Sequence, residues 1–257
     1  MTESVGEASD LGAQHLELGN LHKEKGELTE AAAAYQLAID SGDAEAGPRA
    51  ALSLGDLHKE EGHPTEAAAA YQLAIDSGHP DAAPMAALVL GLLHELLGRP
   101  TEATDAYWLA IESDHATASP HAMLYLADLE KERHPAEAGA AYQLAIDSGN
   151  PDLSAQAALG LGNLHKEHGH PTEAAAAYQL AIDSGHPTAA PRAAVNLGDL
   201  QQSLGHPTEA AAAYQLAIDS GHTEAAPRGA YGLGVVHWHL GHPTEAADAY
   251  QLAIDSG

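Results

Sequence analysis

Eighteen histidines and 37 aspartates and glutamates are the side chains here that could hold a metal, carry a proton or act as a base. Their spacing says which of these to expect. His22, His58, His94, His165 and His237 each stand four residues after a leucine, which suits half-buried packing on a helix. His63, His134, His170, His206 and His242 each precede a proline, and His79, His186 and His222 lie in connectors; both sets read as exposed turn residues. A metal centre needs three or four donors converging at about 2 Å from the ion. Equivalent residues on packed helices lie on the order of 10 Å apart. His237 with His239, or His165 with His168, would chelate only weakly, so neither a metal nor a cofactor is expected. Protonation matters more. Eighteen imidazoles stand against a net charge of −27, so association should respond to pH between roughly 5 and 7.

Covalent chemistry finds no foothold. Cysteine is absent, which removes thiolate nucleophiles, thiolate ligands and disulfides. No G-x-S-x-G, P-loop, H-E-x-x-H or dinucleotide fingerprint occurs. The Asp-Ser-Gly triplet recurs six times, as a helix terminus would and a unique active site would not. The chain is therefore expected not to be an enzyme.

Ten basic against 37 acidic residues argue against nucleic acid and anionic membranes as partners. They favour partners with basic patches. No apolar run is long enough to span a bilayer. The acidic opening MTESVGEASD lacks a basic-then-apolar leader, which points to a cytoplasmic protein. Phenylalanine is absent and aromatics are 4 %. The apolar content is carried mainly by alanine and leucine, which suits helices approaching closely in thin layers.

The elements that position these residues repeat along the chain. The string AAYQLAIDSG or a close variant recurs, placing Tyr35, Tyr71, Tyr107, Tyr142, Tyr178, Tyr214 and Tyr250 at steps of 36, 36, 35, 36, 36 and 36 residues. The short step falls where EKERHPAEA replaces the HKEEGHPTEA pattern. A polar tail, residues 1–11, then precedes units 12–47, 48–83, 84–119, 120–154, 155–190, 191–226 and 227–257. Each unit carries two helices. The first is predicted to open at Pro48, Pro84, Pro120, Pro191 or Pro227, where a missing N–H is harmless, and in the second unit to stop at Gly62. The second opens near Pro64 with Glu66 in its first turn, buries Ala67, Tyr71, Ala74 and Ile75 on one stripe, and ends at Gly78.

Leu54, Gly55, Gly62, Ala67, Tyr71 and Ala74, kept in the same order through the copies, resemble the tetratricopeptide repeat, although at 36 rather than the usual 34 residues. The resemblance covers about residues 12–257. It implies an all-α fold, a single right-handed α-solenoid of seven helix-turn-helix repeats, that acts as a scaffold binding a protein or peptide. It further implies that the first helices line a concave groove. The residues between their packing positions form three columns. One is Asn20, Asp56, Leu92, Asp128, Asn163, Asp199 and Val235. A second is Lys23, Lys59, Glu95, Lys131, Lys166, Gln202 and Trp238. The third includes Glu24, Glu60, Leu96, Glu132 and Glu167. Two readings stand. The columns grip an extended partner, with Asn and Asp on its backbone and Lys and Glu on its side chains. Alternatively they are a solvated face of short-range Lys–Glu pairs of small value. Capture of a C-terminal carboxylate is disfavoured, because acids interrupt the basic column and Leu16 and Leu52 hold the groove edge.

Units three and seven depart from the copied pattern together. Leu88, Leu92 and Leu96 make one of them apolar and Tyr231, Val235 and Trp238 the other, with Leu92, Leu96, Val235 and Trp238 replacing residues that are polar in most copies, and Trp108 stands where other copies have glutamine. An exposed apolar patch of this kind marks a contact site, or else drift in a tolerant scaffold. No polar capping helix follows the seventh pair, so self-association, head to tail or as a dimer, is the alternative to a free groove.

Overall fold

The computed structural model describes residues 2–256, with side chains from residue 11 onward. Fourteen α-helices and no strands occur among the described residues. They are α1 Thr2–Glu24, α2 Leu28–Asp40, α3 Ala46–Glu60, α4 Pro64–Asp76, α5 Ala82–Leu96, α6 Pro100–Glu112, α7 Ala118–Glu130, α8 Pro135–Asp147, α9 Pro151–Glu167, α10 Pro171–Asp183, α11 Ala189–Ser203, α12 Pro207–Asp219, α13 Ala225–His239 and α14 Pro243–Ser256. Helices α1, α3, α5, α9, α11 and α13 each pack on the even helix that follows. The segment expected as a polar tail continues α1 as helix from Thr2. The chain forms two compact units, Met1–Tyr125 and Leu126–Gly257.

The turn inside every repeat but the fourth is three residues long and closed by backbone bonds. After α3, the Gly62 N–H donates to Lys59 O at 3.1 Å and the His63 N–H to His58 O at 2.8 Å. Gly62 sits at φ +77°, where a side chain is strained. The fourth repeat has lost this glycine, and its turn spans four residues, 131–134. There the Arg133 and His134 N–H groups both donate to Glu130 O, at 3.0 and 2.7 Å. Proline opens each even helix from α4 on, as expected. Helices α3, α5, α7, α11 and α13 start two residues before the proline that marks them. That proline still lies in the first turn, where no N–H is needed.

The start of most odd helices is set by a side chain three residues ahead. Asp43 Oδ1 accepts from the Glu45 and Ala46 N–H groups, at 2.9 and 2.6 Å. His79, His115, His186 and His222 do the same through Nδ1, each accepting two backbone N–H groups at 3.0–3.3 Å. Asn150 caps α9 in the same way. Every even helix except α6, which ends on Glu112-Ser113-Asp114, ends on the Asp-Ser-Gly triplet. Ser77 donates to Ala74 O at 2.6 Å and accepts from the His79 N–H at 3.1 Å, so the triplet is spent on local hydrogen bonds.

The core is a ladder of tyrosines among alanines. Tyr35, Tyr71, Tyr107, Tyr142, Tyr178 and Tyr214 are fully buried. Each ring lies on helix backbone. A Cβ at Gly55 would stand 2.4 Å from the Tyr71 ring, and one at Gly198 would stand 2.5 Å from Tyr214. Tyr142 has Ala127 at that position and lies instead against Gly160 of the next repeat, at 2.5 Å by the same measure. Odd helices also touch each other, α1 with α3 and α3 with α5 in the first unit, α9 with α11 and α11 with α13 in the second. Even helices show no such pairing among the described residues within either unit. The odd helices therefore crowd the inner side of each unit.

Replacing Gly198 by alanine should cost about 1–3 kcal/mol by overpacking against Tyr214. Thermal melts followed by circular dichroism check this; an unchanged melting temperature would show that the ring and backbone are not in tight contact. Burial pushes the Tyr71, Tyr107, Tyr142 and Tyr214 phenols far above the usual range, and a carboxylate acceptor pushes each further. A raised phenol pKa stabilises the fold below the unfolded value of about 10 and is lost as pH rises beyond it. Absorbance titration should therefore show these tyrosines ionising together with loss of helix, not before it.

Candidate interaction surface

The polar column expected to face the groove has a second task. Each buried tyrosine hydroxyl needs an acceptor, and the column supplies it. Tyr35 donates to Asn20 at 2.9 Å, Tyr71 to Asp56 at 2.8 Å, Tyr142 to Asp128 at 2.5 Å, Tyr178 to Asn163 at 2.9 Å and Tyr214 to Asp199 at 2.7 Å. Asn163 also accepts from Asn196 of the next repeat at 2.9 Å. Where apolar residues replace the acceptor, the bond moves or goes. In the third repeat Leu92 stands there, and Tyr107 donates to Glu95 instead. In the seventh Val235 stands there, and the Tyr250 ring packs on Tyr231 with centroids 5.7 Å apart.

The basic column is partly engaged on the protein itself. Lys23 reaches Glu60 of the next repeat at 3.0 Å. Lys59 lies 3.5 Å from Asp56, and Lys131 lies 3.7 Å from Asp128. Lys166 and Glu24 are exposed. Such pairs in water contribute little stability.

The apolar replacements divide by position. Leu88 is 6 % exposed, in the packing column of Leu124, Leu159 and Val195, and lines no surface. Leu96 is 80 % exposed at the end of α5, with Leu92 on the same helix and Leu97 directly after it also exposed. Trp108 is exposed on the outward position of α6, where Gln36, Gln72, Gln143, Gln179 and Gln215 bond to the aspartate four residues on. In the second unit the structure joins two sets that looked separate in sequence. Asp199, Gln202, Arg228, Tyr231 and Val235 line one cavity of about 570 Å³ between α11 and α13, with the Tyr214 ring beneath. Tyr231 is 62 % exposed and Trp238 63 %.

Sequence reasoning missed Arg228, which nothing in the repeat pattern marks. It also missed a column of exposed leucines, Leu37, Leu73, Leu109, Leu144, Leu180 and Leu216, on the even helices. Each lies two residues after the tyrosine, off the buried stripe, and that offset was the available signal.

The first histidine column is half-buried as expected, and it meets the turn column across each turn. His22 pairs with Glu27 at 2.6 Å, Glu130 with His134 at 2.6 Å and Gln201 with His206 at 2.9 Å. The rings of His165 and His170, and of His237 and His242, approach to centroid distances of 6.1 Å. No metal was expected. One group of three donors nonetheless assembles among the described residues: His58, Glu61 and His63.

Models of the tetratricopeptide repeat match residues 15–41, 52–119, 128–194 and 195–257. The chain belongs to the tetratricopeptide repeat family. Solved structures agree on the fold. A tetratricopeptide repeat protein of Parabacteroides merdae is 18 % identical, with TM-score 0.57, 96 % of this chain and 94 % of that one covered. PilF of Pseudomonas aeruginosa is 17 % identical, with TM-score 0.59 and coverage of 82 % and 91 %. YrrB, described as a TPR protein with an unusual peptide-binding site, is 21 % identical, with TM-score 0.53 and coverage of 74 % and 93 %. No curated protein matches the chain. No helix is long and apolar enough to cross a membrane among the described residues.

Burial holds the imidazoles of His94 and His165 below the usual value, against the opposing pull of Glu102 and Glu173. A lowered histidine pKa means that the unfolded chain binds more protons, so stability falls as pH drops below about 6.5. Denaturant unfolding at pH 7.5 and 5.5 should show a smaller acid loss in the His94→Gln, His165→Gln double variant than in wild type. An equal loss in both would assign the effect to other groups.

Proposed function

We propose that the chain is a cytoplasmic, non-enzymatic scaffold that binds a protein or peptide on the inner face of its odd helices. Its best-formed seat is the cavity between α11 and α13. The observation that carries this reading is the meeting of apolar and charged groups in one concave place. Tyr231 and Val235 offer apolar surface beside Asp199 and Arg228. An aromatic side chain in such a cavity is the usual anchor of an interface, and the flanking charges orient an extended partner. A net charge of −27 raises the encounter rate with basic partners. The family and the peptide-binding description of YrrB support the same class of function.

A second reading, self-association, rests on a different observation. Leu96 on α5 is 80 % exposed, the largest exposure among the exposed large apolar side chains of the described residues.

The two readings part in experiment. Once a peptide is selected from a library displayed against the full chain, Tyr231→Ala should weaken it about 10- to 30-fold, as hot-spot truncation does. Leu96→Glu should leave its affinity unchanged. Sedimentation of wild type over a concentration series should then show a monomer. Affinity that is insensitive to Tyr231, together with an oligomer dissolved by Leu96→Glu, would replace the first reading by the second.

A further inference from the structure

The turn between α3 and α4 holds three donors at metal-ligating spacing. His58 is on the last turn of α3, Glu61 follows the helix, and His63 stands directly before Pro64 of α4. Glu61 Oε2 lies 3.7 Å from His58 Nδ1 and 3.9 Å from His63 Nδ1. Ligand atoms from all three residues lie within 4.8 Å of one another. Donors around one tetrahedral ion, each at about 2.0–2.2 Å from it, lie roughly 3.4 Å apart. Small side-chain rotations close that difference. The backbone does not need to move, because the Gly62 and His63 N–H bonds already fix the turn.

A second observation points the same way. His58 Nδ1 is shielded from solvent and has no hydrogen-bond partner. A buried polar atom left unpaired is costly, and in other repeats this cross-turn position is satisfied: His22 by Glu27, Glu130 by His134, Gln201 by His206. His94 and His237 carry the same unpaired nitrogen, but their turns supply no acid and second histidine together. The third turn brings Leu97 and Arg99, and the seventh Leu240 with His242. The fifth turn has three histidines, yet His168 Nδ1 is drawn back to Leu164 O at 2.9 Å.

We propose that His58, Glu61 and His63 bind a divalent transition-metal ion of the zinc type, with one coordination position left to solvent. Two imidazole nitrogens and one carboxylate oxygen suit Zn²⁺, Ni²⁺ or Cu²⁺, whereas Mg²⁺ and Ca²⁺ want oxygen-rich shells. The site staples α3 to α4 at the one turn, among the described residues, where two imidazoles and a carboxylate converge. The chain's acidity concentrates cations around it.

The test uses the full chain, stripped with a chelator and titrated with Zn²⁺ by calorimetry at pH 7.5. Wild type should show one strongest site per chain that excess Mg²⁺ does not displace. His63→Gln and Glu61→Gln should each weaken that site by ~10-fold or more. His170→Gln and His242→Gln, equally exposed turn histidines, should leave it unchanged. Zinc should also raise the melting temperature of wild type but not of His63→Gln. Unliganded melts show whether each variant is folded. Wild-type affinity in His63→Gln, or equal losses in His63→Gln and His170→Gln, would overturn the proposal in favour of diffuse surface chelation.

Discussion

Most repeats depend on a tyrosine ring pressed against the backbone of the helix before it, and the fourth on one pressed against the helix after it. Only a residue without a side chain admits the ring that closely, which explains why glycine stands opposite the ring in most repeats. The ring brings a hydroxyl into the core, and a buried hydroxyl demands an acceptor. The acceptor sits on the odd helix at the residue directly after that glycine, as Asn20, Asp56, Asn163 and Asp199 do. The polarity of the inner face is therefore a by-product of core packing, since Asp56, Asn163 and Asp199 serve the core before they serve any partner.

That constraint shows what the exceptions mean. Leu92 and Val235 remove the acceptor, and the tyrosines concerned adjust in different ways. Tyr107 turns to Glu95, a longer side chain one turn on. Tyr250 rests on Tyr231 instead, which leaves the rest of that exposed ring beside Asp199 and Arg228. The apolar character that distinguishes the seventh repeat thus comes out of the same position that stabilises the others.

Histidine, the chemically versatile residue of this chain, is used mostly for geometry. In the connectors an unprotonated Nδ1 takes the place of an aspartate cap, as Asp43 and Asn150 show by filling the same role. At the inner turns a half-buried imidazole faces a partner across three residues. Where that partner is an acid or amide the pair is complete. At His58 and His237, where it is a second histidine, a nitrogen is left over, and at His58 an acid stands beside it.

The helical pairs, their boundaries near proline and glycine, the buried tyrosine stripe and the family were all legible in the residues. Those features come from local propensity and from a spacing that repeats. The half-buried state of the first histidine column followed from the same spacing. The sequence could not reveal which side chains meet across a turn or between repeats. Asp199, Arg228 and Tyr231 are up to 32 residues apart and share a cavity only because α11 packs on α13. Leu88 and Leu92 look alike in sequence, yet one is buried and the other exposed, because helix rotation decides which faces the neighbour. The sequence by itself settled the repeated unit, because each unit is specified by its own short-range signals. Tertiary structure alone decided the surface, because there each side chain's role depends on which neighbouring repeat it faces.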